Sequence, residues 1–183
     1  MSDTDKKRAS TLAALLEEKP KRGRPRRSVQ RQNVYVALSP AQKGWMKQLG
    51  KDLPDGLGRA DLSDIAVSIL AARLESLRRA VAGRNREIPE GITDLESLYL
   101  LWDLSLPKEK EEDDLKWTSI RLSPQQAIEL GRAHGTLHAV FGANRSQTFS
   151  LALVLLAQFL EDHPPSGPTS LPQLRENILD VYL

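Results

Sequence analysis

The sequence predicts a mainly helical fold that contains one two-stranded antiparallel β-ribbon. Two stretches, Asn33 to Leu38 and Thr118 to Leu122, alternate apolar and polar residues as a half-buried strand does. Each is followed at once by Ser-Pro, which provides a helix N-cap and a first helical residue that needs no N–H. A lone strand would leave its backbone groups unpaired, so we expect the two strands to pair with each other.

The two strand-helix stretches belong to an internal repeat. Ser39 and Ser123 lie 84 positions apart, the difference between 123 and 39. Farther along, Ser63 opens the apolar segment SDIAVSILAARLESL and Ser146 opens SQTFSLALVLLAQFL, 83 positions apart, the difference between 146 and 63. We therefore expect one strand and two helices in each copy, with Ser63 and Ser146 as N-caps of the second helices.

Both helices of each copy follow the apolar spacing of helices that face a core. The first helices are predicted to end near Gly50 and Gly142. The second helices are apolar around much of their circumference, which predicts a central place in the core. A single copy could neither pair its strand nor cover that apolar surface, whereas two interlocked copies could do both.

The repeat leaves an arm before the copies, a linker between them and a tail after them. The linker contains a short amphipathic helix at Asp94 to Leu104, for which covering the core is favoured over an oligomer contact. For the tail, docking on the core and binding a partner both stay open, through a short helix with the apolar residues Leu174, Ile178, Leu179 and Tyr182. The predicted segments are a basic arm at 1–29, a first copy at 30–82, a linker at 83–114, a second copy at 115–163 and a tail at 164–183.

This arrangement resembles the ribbon-helix-helix family of DNA-binding proteins, the Arc/MetJ type, over residues 32–81 and 116–162. Family members are usually homodimers with one copy per chain, so the resemblance implies a tandem pseudo-dimer with two diverged copies. It also implies sequence-specific binding to double-stranded DNA, with the ribbon in the major groove and its outward side chains on base edges. Those outward residues are Asn33, Tyr35, Ala37, Trp117, Ser119 and Arg121.

The resemblance also implies phosphate contacts at the N-termini of the second helices, where backbone N–H groups point at the DNA. Tyr35 and Ala37 depart from the polar pattern that the family shows on its strands, so base reading is expected mainly from the second strand. The residues implied in phosphate binding are Ser63, Asn144, Arg145 and Ser146.

The basic arm contains the stretch KRGRPRR, which resembles an AT-hook. Its glycine lets the backbone lie deep in a groove, its proline keeps the chain extended, and its arginines suit a narrow A·T-rich minor groove. The net charge of +2 is small, so the informative feature is the clustering of basic residues in the arm. The residues of this minor-groove element are Lys21, Arg22, Gly23, Arg24, Pro25, Arg26 and Arg27.

Composition excludes several classes of protein. The chain has no Cys, which excludes disulfides and thiolate metal sites. His134 and His138 have helical spacing but no third ligand nearby in sequence, and no catalytic set or phosphate loop is apparent, so we expect no metal, no cofactor and no enzymatic activity. No apolar run is long enough to span a bilayer and no signal peptide is apparent, which predicts no membrane contact and a cytoplasmic, nucleoid-associated location in a prokaryote.

The favoured function is that of a transcription regulator with a ribbon in the major groove and an arm in the minor groove. Two alternatives remain open. One is an accessory DNA-binding protein for plasmid transfer or partition. The other is an antitoxin-like protein-interaction module that binds a protein partner through its terminal segments. Self-association on DNA is compatible with either DNA-binding role.

Overall fold

The computed structural model describes residues 30–107, 114–164 and 166–183, which contain two strands and six helices. The predicted class, mainly helical with one two-stranded antiparallel sheet, is confirmed. In the described ranges, no helix is both long and apolar enough to cross a membrane. The elements in chain order are β1 (Gln32–Leu38), α1 (Pro40–Asp52), α2 (Arg59–Ala80), α3 (Leu95–Leu101), β2 (Lys116–Leu122), α4 (Pro124–Phe141), α5 (Arg145–Asp162) and α6 (Leu171–Tyr182).

The two strands pair with each other within one chain. β1 and β2 run antiparallel, with Tyr35 opposite Ser119 at the centre and Gln32 opposite Leu122 at one end. The pairing satisfies backbone N–H and C=O groups that a single strand would leave without partners. The predicted partnership between two strands far apart in the sequence is confirmed.

One hydrophobic core joins the ribbon to the helices. Val36, Leu38, Ile120 and Leu122 point inward from the two strands and are at most 2% exposed. Beneath the ribbon, α2 and α5 pack against each other in the centre of the molecule, as their apolar sequences predict. Burial of each such side chain is worth about 1.5–3 kcal/mol relative to leaving it exposed. The fully buried hydrophobic residues of α5 are Phe149, Leu151, Ala152, Leu153, Leu155 and Leu156.

Ser39 and Ser123 precede α1 and α4 as predicted, but only one of them caps a helix with its side chain. The Ser39 hydroxyl accepts a hydrogen bond from the Gln42 N–H at 3.1 Å, and the Gln42 side chain accepts one from the Ser39 N–H at 2.9 Å. These two bonds form a capping box. The Ser123 hydroxyl has no hydrogen-bond partner among the described residues, while its N–H donates to Asp64 at 2.9 Å.

The predicted start of α2 is wrong. The helix begins at Arg59, and Ser63 lies inside it at 6% exposure, where its hydroxyl cannot act as an N-cap. Gly58 is the N-cap residue, and its N–H donates to the Asp61 carboxylate at 2.8 Å. Because Asp61 belongs to the first turn, the cap comes from inside the helix and not from the side chain of the preceding residue.

The predicted N-cap of α5 is wrong by position as well. The helix begins at Arg145, so its N-cap is Asn144 and not Ser146. The Asn144 side chain accepts from the Gln147 N–H at 2.9 Å, and the Gln147 side chain accepts from the Asn144 N–H at 2.9 Å. This capping box fixes the first turn and leaves the hydroxyl of Ser146 available for another partner.

The linker helix covers the core, which was the favoured prediction. Within α3, Leu98 is fully buried and Tyr99 is 1% exposed. The Gln158 amide of α5 donates to the carbonyl of Trp102, just after α3, at 3.0 Å. The part of the linker from α3 to Trp102 is therefore packed onto the core and bonded to α5.

The tail helix docks on the same core. Leu174 and Ile178 of α6 are at most 4% exposed, and α6 packs mainly against α2. Tyr182 stacks with the Arg73 guanidinium of α2, whose central carbon lies 4.7 Å from the ring centroid. Leu179 stays half exposed. Two of the four apolar residues predicted to dock or bind a partner are thus buried within the chain.

Candidate nucleic-acid interface

The outward face of the β-ribbon contains all six residues predicted to read bases. Alternation along each strand fixes their direction, because the intervening residues face the core, where Val36, Leu38, Ile120 and Leu122 are buried and Val34 and Thr118 are partly buried. Tyr35 is 60% exposed and Trp117 is 74% exposed. In the observed register the six form three directly opposed pairs, which are Asn33 with Arg121, Tyr35 with Ser119, and Ala37 with Trp117.

The three pairs differ in chemistry from one end of the ribbon to the other. Asn33 and Arg121 form a polar end, with amide and guanidinium groups that can each bond two atoms of a base edge. Ala37 and Trp117 form an apolar end with no hydrogen-bond acceptor on either side chain. Trp117 therefore offers stacking or apolar contact, while Arg121 offers directional recognition.

The N-terminus of α5 lies against the ribbon. The Ser146 hydroxyl accepts a hydrogen bond from the Ala37 N–H of β1 at 2.8 Å. This bond places Asn144 and Arg145, both exposed, beside the strand that contains Tyr35. Ser146 therefore positions the helix start on the ribbon. Arg145 and the first N–H groups of α5 are the groups available to an anion.

At the start of α2 the exposed residue is Arg59 and not Ser63. Ser63 is 6% exposed inside α2, so little of its side chain is accessible for the phosphate contact that the resemblance implies. Arg59 occupies the first helical position of α2, as Arg145 does in α5. Prediction from the sequence missed Arg59, although the stretches GRAD and NRSQ both place an arginine directly after a cap residue.

A buried charge cluster connects α2 to the residue before β1, to the residue after β2 and to α6. Asp64 is fully buried, and its carboxylate accepts from the Ser123 N–H at 2.9 Å, directly after β2. The Arg31 guanidinium, which precedes β1, lies 3.2 Å from Asp64 and also pairs with Asp61. The Arg175 guanidinium of α6 lies 3.8 Å from Asp64. The residue before β1, the residue after β2 and the tail helix α6 therefore meet at one carboxylate.

The two histidines of α4 lie near the α5 N-terminus. Their ring centroids are 5.6 Å apart. Burial lowers the pKa of His134, and the positive charge of Arg145 and then His138 lowers it further, so His134 is neutral at physiological pH. Among the described residues, no three His, Asp or Glu side chains are grouped as a metal would require.

The AT-hook-like stretch, residues 21–27, lies outside the described residues, as does the rest of the arm up to residue 29.

Comparison of the chain with protein-family models, with curated proteins and with solved structures returns no match. Function is therefore inferred from the geometry of the ribbon and of the helix termini beside it.

Proposed function

We propose that the chain is a tandem ribbon-helix-helix pseudo-dimer whose copies are related by an approximate two-fold axis at the centre of the ribbon. The repeat offset in the strands, 84 positions, equals the separation of the central pair, Tyr35 and Ser119. Exchange of the two copies therefore maps this pair onto itself. It also maps the pair of Val36 and Thr118 onto the pair of Ile120 and Val34, so the register is compatible with two-fold symmetry.

Buried positions of the central helices support the same relation. Asp64 and Thr148 are both fully buried and differ by 84 positions, as do Ile65 and Phe149. The two copies therefore place residues of similar burial at equivalent points of α2 and α5. Their chemistry has diverged, since a buried carboxylate in one copy corresponds to a hydroxyl in the other.

The function that this geometry supports best is sequence-specific binding of double-stranded DNA, without enzymatic activity. The observation that supports it is the set of three outward-facing pairs on an exposed ribbon, with a helix N-terminus anchored beside it. A two-stranded ribbon fits the major groove, where Arg bonds guanine O6 and N7 and Asn bonds adenine. Arg145, Arg59 and the helix N–H groups bind the flanking phosphates and fix the orientation of the ribbon.

Chemical probing of a complex tests the choice of groove. Dimethyl sulfate methylates guanine N7 in the major groove and adenine N3 in the minor groove. We expect the chain to protect guanine N7 at the centre of its site and adenine N3 in the flanking A·T tract that the arm contacts. Protection of adenine N3 alone would contradict the ribbon as the reading element. Footprints at promoters would indicate transcription regulation, and footprints at an origin of transfer or a partition site would indicate the plasmid role.

Deleting residues 1–27 should make the salt dependence of DNA binding shallower. Each phosphate that the arm neutralises contributes about −0.9 to the slope of log K against log salt concentration. The slope is measured by fluorescence anisotropy over a series of KCl concentrations, with the full chain as reference. An unchanged slope would mean that the arm does not contact the DNA backbone.

Replacing Arg145 by alanine should weaken binding to all duplexes alike and reduce the salt slope by about 0.9, because one phosphate contact is lost. Arg59→Ala should do the same, since Arg59 is the first residue of α2 as Arg145 is of α5. Arg84, which is exposed in the loop after α2, provides the matched control of equal charge loss. An equal effect of Arg84→Ala would assign the losses to net charge and not to contacts at the helix starts.

A further inference from the structure

A groove of about 890 Å³ opens between α2, α4 and α6, and no ribbon residue lines it. Its volume lies within the range of roughly 300–1,000 Å³ that small-molecule sites occupy. One wall is apolar and built from small or aliphatic side chains, including Ala71, Leu74, Ala133 and Ile178. The groove is therefore wide enough for a small organic molecule and suited to an apolar body.

Two polar side chains in this groove have buried atoms without partners. Gln126 is 6% exposed, and its Oε1 has no hydrogen-bond partner among the described residues. The Nε and Nη2 atoms of Arg175 are also buried and lack a hydrogen-bond acceptor in those residues. The Nη2 of Arg175 faces the Asp64 carboxylate at 3.8 Å, whereas the Nε of Arg175 and the Oε1 of Gln126 face no such group in the part of the chain that the structure describes. Because buried polar groups in native proteins are nearly always hydrogen-bonded, these two atoms indicate a missing partner.

The charges of the groove identify Arg175 as the group that would bind an anion. Glu75 already pairs with Arg78 at 2.8 Å and with Arg79 at 3.1 Å, and the hydrogen bond from Arg78 is the main cause that lowers the pKa of Glu75 to about 2. Arg132 pairs with Glu129 at 3.4 Å. The Nη2 of Arg175 forms an ion pair with the Asp64 carboxylate at 3.8 Å, which is too long for a hydrogen bond, so a second carboxylate can compete for this guanidinium.

We propose that this groove binds a small carboxylate with an apolar body. The carboxylate bonds to Arg175, whose planar fork matches two oxygens, and the apolar body lies on the wall that includes Ala71 and Ile178. Gln126 completes the site. A half turn of its amide places the NH2 where the unpaired oxygen now stands, because amide oxygen and nitrogen are nearly isosteric.

The same arginine connects the groove to the ribbon. Asp64 lies within 3.8 Å of Arg175 and accepts the N–H of Ser123, which directly follows β2. A ligand that draws Arg175 toward the groove removes positive charge from beside Asp64 and so alters the acceptor of the Ser123 bond. An effect of the ligand on DNA affinity would rest on the function proposed above, whereas an effect on the Ser123 N–H does not.

Calorimetry with octanoate tests the site on the full chain without DNA. We expect saturable binding of one octanoate per chain, with octanol, the uncharged analogue, at least tenfold weaker. Arg175→Gln should weaken octanoate binding at least tenfold. Ala71→Leu, which fills the groove and leaves the charge cluster intact, should weaken it similarly, while Ala41→Leu on the exposed side of α1 should have no effect.

The link to the ribbon is measured by NMR as the shift of the Ser123 amide resonance during the octanoate titration. We expect this resonance to move with the same saturation as the calorimetric signal. Absence of saturable binding, or equal binding by the Ala71→Leu variant, would overturn the site. Binding without any movement of the Ser123 resonance would overturn the link. Neither result depends on DNA binding, so a failure here and a failure of the proposed function are distinguishable.

Discussion

Replacing Asp64 by alanine should lower the free energy of unfolding by about 3 kcal/mol. Asp64 is fully buried, and its removal leaves the Ser123 N–H without its acceptor and two guanidinium groups beside an apolar side chain. Removing one partner of a buried ion pair typically costs about 3–5 kcal/mol because the other charge stays buried without compensation. The lower end applies here, because Arg31 keeps its contact with Asp61.

The loss is measured by urea unfolding followed by circular dichroism. Asp64→Asn retains an oxygen that can accept from Ser123 and should therefore cost less than Asp64→Ala. The matched control is Asp162→Ala, an exposed aspartate at the end of α5, which should change the unfolding free energy by no more than about 0.5 kcal/mol. Equal effects of Asp64→Ala and Asp162→Ala would show that the buried cluster does not stabilise the fold.

Replacing Arg121 by alanine should weaken binding to the preferred DNA site by about 1–3 kcal/mol, the cost of one bidentate base contact. Arg121 is exposed on the outward face and opposes Asn33 at the polar end of the ribbon. The variant should also lose preference at one or two positions of the site while binding unrelated duplexes almost as well as before. The fold should be intact, since the Arg121 side chain points away from the core.

Competition assays with duplexes altered at single positions measure this loss of discrimination. Arg86→Ala provides the control, because Arg86 is an equally charged exposed residue outside the ribbon and its helix termini. The Arg86→Ala variant should bind DNA slightly more weakly and keep the same preference at every position of the site. If Arg121→Ala folds normally and keeps both affinity and discrimination, the ribbon is not the reading element, and the antitoxin-like interaction module becomes the better hypothesis.

The ribbon could be predicted from the sequence because its signals are local. Alternating residues define each strand, and the Ser-Pro step that follows each strand defines the next helix start. The pairing partner came from the repeat, since two equivalent strands with unpaired edges satisfy each other. These signals need no knowledge of distant contacts, and the register places the predicted face outward.

The first residues of α2 and α5, the second helices of the two copies, could not be predicted from local sequence signals. A serine before an apolar run is a common N-cap pattern, but Ser63 lies inside α2. The helix begins earlier, where the Asp61 carboxylate accepts the N–H of the N-cap residue Gly58. Ser146 likewise binds the Ala37 N–H of the ribbon, a tertiary contact that no local pattern contains. Comparison of the residues before each apolar run would have revealed that an arginine directly follows the cap residue in both copies, at Arg59 and at Arg145.

The buried charge cluster and the groove were not predicted either. Asp64 occurs in a predicted helix, where a carboxylate is normally expected to be exposed, yet Asp64 is fully buried. Its partners come from three separate segments, before β1, after β2 and in α6. Such a cluster depends on the tertiary arrangement, so the pattern of residues along the sequence does not indicate it.

Selection of bound sites from randomised duplex DNA by the full chain tests the central claim most directly. The two strands present different outward residues, so we expect one enriched sequence that lacks internal two-fold symmetry, with a guanine contacted by Arg121. The Arg121→Ala variant should enrich the same sequence with that guanine position relaxed. No enrichment over the starting pool, or an identical enriched sequence from the variant, would contradict DNA recognition by the ribbon.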